Sequence, residues 1–405
     1  MVKLHYDVLS RFNEHIYNGF ISSIHLKEEV AVKGNEFWLA EYNKQKYLLP
    51  LDIVSHLPIV VSSYDIVKYR GKLYRAVQEY KTVKVTPEKR MSFRELVDWF
   101  DYKLSDTKTV MVLGRRKSEP YTLEELERNK KHFLLFKIFM LGAEIGRVNF
   151  RVSTAPGFGK DSIVQLLGFL MNDAVSISPR SVASIEYRLV NKLLVLNELS
   201  ALESGQRDVI WKMLELVGDY KNVYEKSTRA SSGTFDQYDI SKLSLTIFYN
   251  RKEDYEIAGK GDKFFDNIFG SAIQDRFIPF KFEGTIDKKQ FRTTPKFNEW
   301  ENYKEEYLSV IKTIWWYRYH YLEEVAPYED LINEFVDTNE FLMGRHPLSF
   351  YKLAQFMALY AENETDLKQL MNDAYKAYLS YYGANVKQQT LNDGLVEEVD
   401  VEDFV

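Results

Sequence analysis

The segment Thr154-Ala-Pro-Gly-Phe-Gly-Lys-Asp-Ser162 begins at the end of the apolar run VNFRVST and precedes a predicted helix. A glycine-rich turn between a strand and a helix bends its backbone N–H groups toward a polyphosphate, and the positive end of the helix faces the same anion. Gly157 and Gly159 permit the required backbone angles, and Lys160 reaches the β- and γ-phosphates. The alternative is a glycine-rich turn that binds nothing.

Two positions depart from the strict form of this motif, G-x-x-x-x-G-K-[ST]. Thr154 stands at the first glycine, and Asp161 stands where a Ser or Thr hydroxyl would contact Mg²⁺, with Ser162 one residue later. We expect ATP and Mg²⁺ as the ligands. The residues expected to hold the nucleotide are Ala155, Pro156, Gly157, Phe158, Gly159, Lys160, Asp161 and Ser162.

A second apolar run, Lys192-Leu-Leu-Val-Leu-Asn197-Glu198, ends in a polar pair. In nucleotide hydrolases such a strand ends beside the γ-phosphate, where one carboxylate supports Mg²⁺ and the next polarises the attacking water. Glu198 fits the second role, whereas Asn197 stands where Asp is usual. Because Asp161 is an unexpected carboxylate, our hypothesis is that the metal ligand has moved from this strand to the loop; the alternative is a weakened ATPase. The expected metal ligands are Asp161, Ser162, Asn197 and Glu198.

Two further elements complete the predicted catalytic set of Lys160, Glu198, Asn250 and Arg276. The run Leu243-Ser-Leu-Thr-Ile-Phe-Tyr-Asn250 ends in an amide, which can sense the γ-phosphate from the neighbouring strand. Arg276 stands at the head of the predicted strand RFIPFKF and is a candidate arginine finger for the nucleotide of a neighbouring subunit. The alternative for Arg276 is a surface salt bridge.

The order of these elements resembles that of AAA+ ATPases, and APGFGKD resembles their G-P-P-G-T-G-K-[ST] loop. Within that class, residues 145–283 are most similar to superfamily 3 helicases, including those of phage and poxvirus primase-helicases. The segment Leu214-Glu-Leu-Val-Gly-Asp219 is similar to the Leu-x-x-x-Gly-Asp segment of that family. The resemblance implies a homo-hexameric ring with a hairpin that grips single-stranded DNA in the central channel.

The residues after that segment support a nucleic-acid partner on their own chemistry. Lys221, Lys226 and Arg229 alternate with tyrosines and lead into the Ser/Gly/Thr-rich sequence STRASSGTF. Basic groups for phosphates beside aromatic faces for bases are what single-strand binding needs. We expect these three residues to contact DNA, although a solvated loop with ordinary charges fits the pattern equally well.

The fold class expected from these patterns is α/β: an AAA+-type P-loop core with a β-rich N-terminal domain and a helical C-terminal domain. In the first region, short alternating runs separated by turn residues predict hairpins. Thr122 and Glu125 form a predicted capping box for an amphipathic helix that ends near Gly142. The expected boundaries are 1–120 for the β-rich domain, 121–290 for the ATPase core, 291–385 for the helical domain and 386–405 for an acidic disordered tail.

The composition of the chain excludes several kinds of site and bears on its partners and location. The chain has 405 residues, 54 basic and 59 acidic, and no cysteine, which excludes disulfides, thiolate metal sites and cysteine nucleophiles. Six acids lie within 388–405, so the remainder carries 54 bases against 59 − 6 = 53 acids, a net charge of +1. The acidic tail could dock a replication protein or merely solubilise the chain. No apolar run is long enough to span a membrane, so we expect no membrane partner and a cytoplasmic location, the host cytoplasm for a phage or viral protein.

The sequence therefore predicts an enzyme, an ATP-dependent DNA helicase or translocase that acts as an oligomeric ring in DNA replication. A second interpretation is a loader or remodelling ATPase whose substrate is protein. A third is a nucleotide-gated binding module without catalysis, suggested by Asp161 and Asn197.

Overall fold

A computed structural model gives the fold, and the side chains discussed below lie between residues 91 and 382. The residues it describes are 2–3, 27–32, 35–42, 45–50, 56–60, 64–69, 72–77, 80–84, 91–112, 115–171, 174–178, 181–186, 188–189, 191–197, 204–227, 235–250, 271–287 and 300–382.

The first part of the chain forms strands, as its alternating sequence predicts. The strands are Val2–Lys3 (β1), Lys27–Val32 (β2), Asn35–Tyr42 (β3), Gln45–Pro50 (β4), His56–Val60 (β5), Tyr64–Tyr69 (β6), Lys72–Val77 (β7), Tyr80–Lys84 (β8), Thr107–Val112 (β9) and Arg115–Pro120 (β10). The pairs β2–β3, β3–β4 and β6–β7 are antiparallel, which confirms the hairpins expected there. The strands β5–β8 and β9–β10 form separate antiparallel pairs.

Two helices flank the β9–β10 pair in the chain, and both begin with a capping box. Helix α1 (Phe93–Trp99) is capped by Ser92, and helix α2 (Leu123–Ile145) is capped by Thr122, which accepts a hydrogen bond from the Glu125 backbone as predicted. The amphipathic character expected for α2 is wrong, because nearly every side chain from His132 to its end is buried. Its second half lies between the central sheet and the C-terminal helices, so no face meets solvent.

The central element is a five-stranded parallel sheet. Its strands are Phe150–Thr154 (β11), Ala174–Ile177 (β12), Leu193–Asn197 (β13), Ser244–Asn250 (β16) and Ile278–Phe282 (β17), and they lie in the order β12-β13-β16-β11-β17. The antiparallel hairpin Val223–Ser227 (β14) and Phe235–Asp239 (β15) is inserted before β16. Every neighbouring pair in the central sheet is parallel.

Both faces of this sheet are covered, which explains why its strands are continuous apolar runs. Successive residues of β13 point to opposite sides: Leu193 and Val195 join the cluster that contains α2, while Leu194 and Leu196 join a second cluster. The helices between the strands are Lys160–Met171 (α3), Val182–Glu186 (α4), Ser204–Gly218 (α5) and Ser271–Arg276 (α6).

The C-terminal part is helical, and its buried side chains belong to the same apolar cluster as α2 and one face of the sheet. The helices are Trp300–Val325 (α7), Glu329–Thr338 (α8), His346–Tyr360 (α9) and Glu364–Tyr381 (α10), with a short 3₁₀ turn at Ala326–Tyr328. The predicted acidic tail, 386–405, lies outside the described residues. Among the helices described, none is long and apolar enough to cross a bilayer.

Candidate active site

The loop 155–159 joins the carboxyl end of β11 to α3, as the sequence predicts. Gly157 and Gly159 have φ angles of 86° and 88°, a region that residues with a Cβ rarely occupy. A Cβ at Gly159 would also lie 2.8 Å from Cδ1 of Ile286, so the backbone and its neighbour both require glycine here. Ile286 in turn donates its N–H to the carbonyl of Gly157 at 3.0 Å.

The buried side chain of Phe158 anchors the loop to the hydrophobic core. Its side chain is only 1% exposed, and its ring lies 4.4 Å from that of Phe133, 5.1 Å from Phe136 and 6.1 Å from Phe282, measured between centroids. Phe158 is one of the residues expected to hold the nucleotide, and this packing leaves its backbone, not its ring, for that role. The loop is therefore anchored in the core through one large side chain.

The loop lies at the point where the strand connections diverge. From β11 the chain crosses to β12 on one side, whereas from β16 it continues to β17 on the other. The ends of β11 and β16 are in register, with Thr154 beside Asn250. In open parallel sheets, ligands bind in the crevice outside the carboxyl ends of the strands at such a point.

Lys160 and Asn250 meet in this crevice. Lys160 is the first residue of α3 and Asn250 the last residue of β16, and the lysine Nζ donates to the asparagine Oδ1 at 3.0 Å. The structure thus brings together two of the four residues predicted to be catalytic. A third, Glu198, lies outside the described residues.

Asp161 and Asn197, the two positions between which the metal ligand is hypothesised to have moved, are direct neighbours. The Nδ2 of Asn197 donates to the Oδ1 of Asp161 at 2.7 Å, and the hydroxyl of Ser176 on β12 donates to the same oxygen at 2.9 Å. Asn197 Nδ2 also contacts Ser176 Oγ. Because an ionised carboxylate only accepts hydrogen bonds, Asp161 fixes which end of the amide faces it.

Among the described residues, two buried polar atoms at this end of the sheet have no hydrogen-bond partner. Asn197 Oδ1, which the contact with Asp161 turns away from the carboxylate, and Thr154 Oγ1 have no hydrogen-bond partner among the described residues. Buried polar atoms are paired in most proteins, so each such atom needs an explanation, of which an absent ligand is one. In the described part of the chain, no group of three or more His, Cys, Asp or Glu side chains could hold a metal ion.

Sequence reasoning did not find Ser176. It lies in the four-residue strand Ala174–Ile177, which is not one of the apolar runs recognised in the sequence. The signal that could have identified it is a serine placed between two apolar residues, Val175 and Ile177. Ser162, expected as a metal ligand, is buried in the first turn of α3, where its N–H donates to the Gly159 carbonyl at 2.9 Å.

Arg276, the predicted arginine finger, is the last residue of α6 and lies two residues before β17. Its Nε forms an ion pair of 2.8 Å with Oδ1 of Asp219, so within this chain Arg276 makes a salt bridge, the alternative considered for it above, with a partner that was not predicted. Arg345, at the start of α9, pairs with the same carboxylate. Within this chain, then, Arg276 is held by a carboxylate and is not in the Lys160–Asn250 crevice.

The residues expected to contact DNA are described in part. Lys221 is exposed between α5 and β14. The backbone of Lys226 lies on β14 opposite Asp236 of β15, and its side chain is not among those described. Arg229 lies outside the described residues, in the connection between the two strands. Strands β14 and β15 thus form an antiparallel hairpin at this position.

Comparison with protein-family models finds no family that matches the chain, and comparison with curated proteins finds no matching relative. The site must accordingly be interpreted from its own geometry.

Proposed function

We propose that this chain is an ATP hydrolase with a P-loop core of the AAA+ type. The observation that carries the proposal is the contact of Lys160 with Asn250 at the carboxyl ends of adjacent parallel strands. Lys160 directly follows a loop in which two glycines have left-handed backbone angles. The Lys160 amine lies in this crevice beside Asn250, where its positive charge can pair with a polyphosphate. The parallel α/β sheet around it supports the same assignment.

Each residue has a defined part in the proposed reaction. The backbone N–H groups of 155–159 and the start of α3 bind the phosphates, and Lys160 contacts the β- and γ-phosphates. Glu198 accepts a proton from a water that attacks the γ-phosphorus. The bond from that phosphorus to the β–γ bridging oxygen breaks, and ADP and phosphate leave. Asn250 contacts the γ-phosphate and thereby reports whether it is present.

The residues present fit Mg²⁺, which prefers oxygen ligands. Asp161 offers a carboxylate, Ser162 a hydroxyl, and Asn197 an amide oxygen that is buried and unpartnered among the described residues. Glu198 adds a second carboxylate. When bound, Mg²⁺ would neutralise charge on the β- and γ-phosphates. The hydrogen bonds from Asn197 and Ser176 hold Asp161 in one orientation.

We further propose that hydrolysis drives movement along single-stranded DNA in a homo-hexameric ring, in DNA replication. The similarity to superfamily 3 helicases and the hairpin that carries Lys226 support this step. Lys221, Lys226 and Arg229 would contact the DNA backbone, whose charge makes such binding sensitive to salt. Arg276 would complete the nucleotide site of the neighbouring subunit.

The decisive experiment measures ATP hydrolysis by the full chain with and without single-stranded DNA, beside the mass of the assembled species with nucleotide. The proposal expects turnover that DNA stimulates and that Glu198→Gln removes. Turnover that DNA does not change, and that a protein partner stimulates, would favour a loader or remodelling ATPase. Nucleotide binding without turnover under any condition would favour a non-catalytic module, and absence of nucleotide binding would contradict the proposal.

A further inference from the structure

Asp219 lies where three parts of the fold meet. It follows the last residue of α5, and its carboxylate pairs with Arg276 at the end of α6 and with Arg345 before α9. Arg345 also pairs with Asp275 at 3.3 Å. Two acids and two arginines thus form a neutral cluster, which we name the Asp219 cluster: Asp219, Asp275, Arg276 and Arg345.

Gly218 allows the two helix ends to approach closely enough for this cluster. A Cβ at Gly218 would lie 2.7 Å from Cβ of Arg276, nearer than side-chain carbons pack. The Arg276 and Asp219 side chains are 16% and 23% exposed, so their ion pair is screened from water more than a surface pair is. The absence of a side chain at Gly218 therefore allows Arg276 to contact the carboxylate of Asp219.

The backbone around Asp219 leads directly into the hairpin. Tyr220 has a φ of 55°, and the N–H groups of Tyr220 and Lys221 donate to the carbonyls of Val217 and Leu216, which closes α5. Arg147 donates to the Tyr220 carbonyl at 2.8 Å. Strand β14 begins at Val223, so this hydrogen-bonded turn, Tyr220 to Asn222, is all that separates Asp219 from the hairpin.

We propose that Asp219 is a positioning residue that holds Arg276 within its own subunit until the nucleotide of a second copy of this chain draws the guanidinium away. This inference rests on the proposed function. Withdrawal of Arg276 leaves Asp219 paired with Arg345, so the carboxylate is not stranded, which keeps the cost of the exchange small. The triphosphate of one subunit is thereby linked, through Asp219, to the β14–β15 hairpin of the next.

The test compares Asp219→Asn with Asp275→Asn, which makes the same chemical change in the same cluster. Asp275 is the control because its ion pair is with Arg345, whereas Asp219 pairs with Arg276. Both variants are assembled with ATP, and turnover is measured with and without single-stranded DNA. Amide hydrogen exchange of 222–227 and 235–240 is followed with and without a non-hydrolysable ATP analogue. We expect the wild type and Asp275→Asn to show a nucleotide-dependent change in hairpin exchange and DNA stimulation of about fivefold or more.

In Asp219→Asn we expect both responses to be lost, with hairpin exchange in the absence of nucleotide already equal to that of the nucleotide-bound wild type. Asp219→Glu retains the carboxylate and is expected to restore most of the DNA stimulation, which a purely structural role of Asp219 would not predict. If Asp219→Asn fails to fold, Arg276→Gln must show the same exchange pattern. An Asp219→Asn protein that responds like the wild type overturns this inference alone, whereas a wild type without turnover overturns the proposed function and this inference with it.

Discussion

Polar side chains lie at both ends of the central sheet, buried at the amino end and half-buried at the carboxyl end, and they bond to different partners. At the amino end, Asn149 donates to the Val217 carbonyl at 2.9 Å and accepts from the Leu245 N–H at 2.8 Å. Ser244 donates to the Gly146 carbonyl at 2.9 Å. These side chains therefore bond to backbone groups and join the strands to the segments around them.

At the carboxyl end, the polar side chains bond mainly to one another. Lys160 is held by Asn250, and Asp161 by Asn197 and Ser176, while Asn197 Oδ1 lacks a partner among the described residues. A polar group that is fully bonded to backbone has no capacity left for a ligand, whereas one held by another side chain can exchange partners. From this contrast we infer that the polar groups of the amino end stabilise the fold and that those of the carboxyl end are suited to binding.

The largest expected effect comes from a matched pair of lysines, one at each end. Lys160→Ala should lower ATP turnover by at least about 100-fold, because it removes a donor to the transferring phosphate, and should leave thermal stability nearly unchanged. Lys192, which donates to the Gly146 carbonyl at the amino end, is the control. Lys192→Ala should lower the free energy of unfolding by about 1–3 kcal/mol while nucleotide affinity per folded molecule stays unchanged. Equal losses of turnover in both variants would remove the distinction between the ends.

The next effect tests the hypothesis that the carboxylate ligand of the metal has moved from position 197 on β13 to Asp161 on α3. Each of Asp161→Ser and Asn197→Asp should weaken Mg²⁺-dependent nucleotide binding by about 10- to 100-fold, since each breaks the donor–acceptor pair between them. The double variant restores a hydroxyl on α3 and a carboxylate on β13, and should recover most of the affinity. Calorimetric titration with Mg²⁺ and with Mn²⁺ measures this coupling. Losses that simply add in the double variant would contradict it.

A smaller effect is expected from Asn149, whose side chain bonds to the Val217 carbonyl and the Leu245 N–H. Asn149→Ala should lower the free energy of unfolding by about 1–3 kcal/mol, because it leaves the Leu245 N–H buried without its partner and removes one of the two donors to the Val217 carbonyl. Nucleotide affinity, measured below the unfolding temperature, should not change. Asn250→Ala serves as the comparison at the other end, where we expect weaker turnover with little change in the unfolding midpoint.

The last effect appears only at acidic pH and concerns His132, which accepts the Glu283 N–H at 2.8 Å just after β17. Burial, with the nearby Arg128 charge, lowers the pKa of His132 from 6.5 to about 3. The folded state thus keeps this imidazole neutral, while the unfolded chain binds a proton below pH 6.5, so stability is full above that pH and is lost as pH falls toward 3. The slope should approach about 1.4 kcal/mol per pH unit.

Urea unfolding at a series of pH values measures this slope, and His132→Asn should reduce it. An unchanged slope in that variant would show that His132 does not carry the acid sensitivity.

Local features of the fold were predictable from the sequence, because they depend on neighbours in the chain. The capping box at Thr122, the glycine loop and the apolar strands are of this kind. The Ser176–Asp161 bond and the Arg276–Asp219 pair were not predictable, because each joins residues that only the packing of several elements brings together. The prediction that α2 is amphipathic was wrong for the same reason, since the burial of its second half depends on helices far along the chain.

The most direct test of the comparison between the two ends is amide hydrogen exchange of the full wild-type chain with and without Mg²⁺ and a non-hydrolysable ATP analogue. The account predicts that the nucleotide protects residues 155–163 and the ends of β13 and β16 near Asn197 and Asn250. It predicts no change at the amino end, around Asn149, Lys192 and Ser244. Protection confined to the amino end, or no protection of the loop at saturating nucleotide, would contradict it.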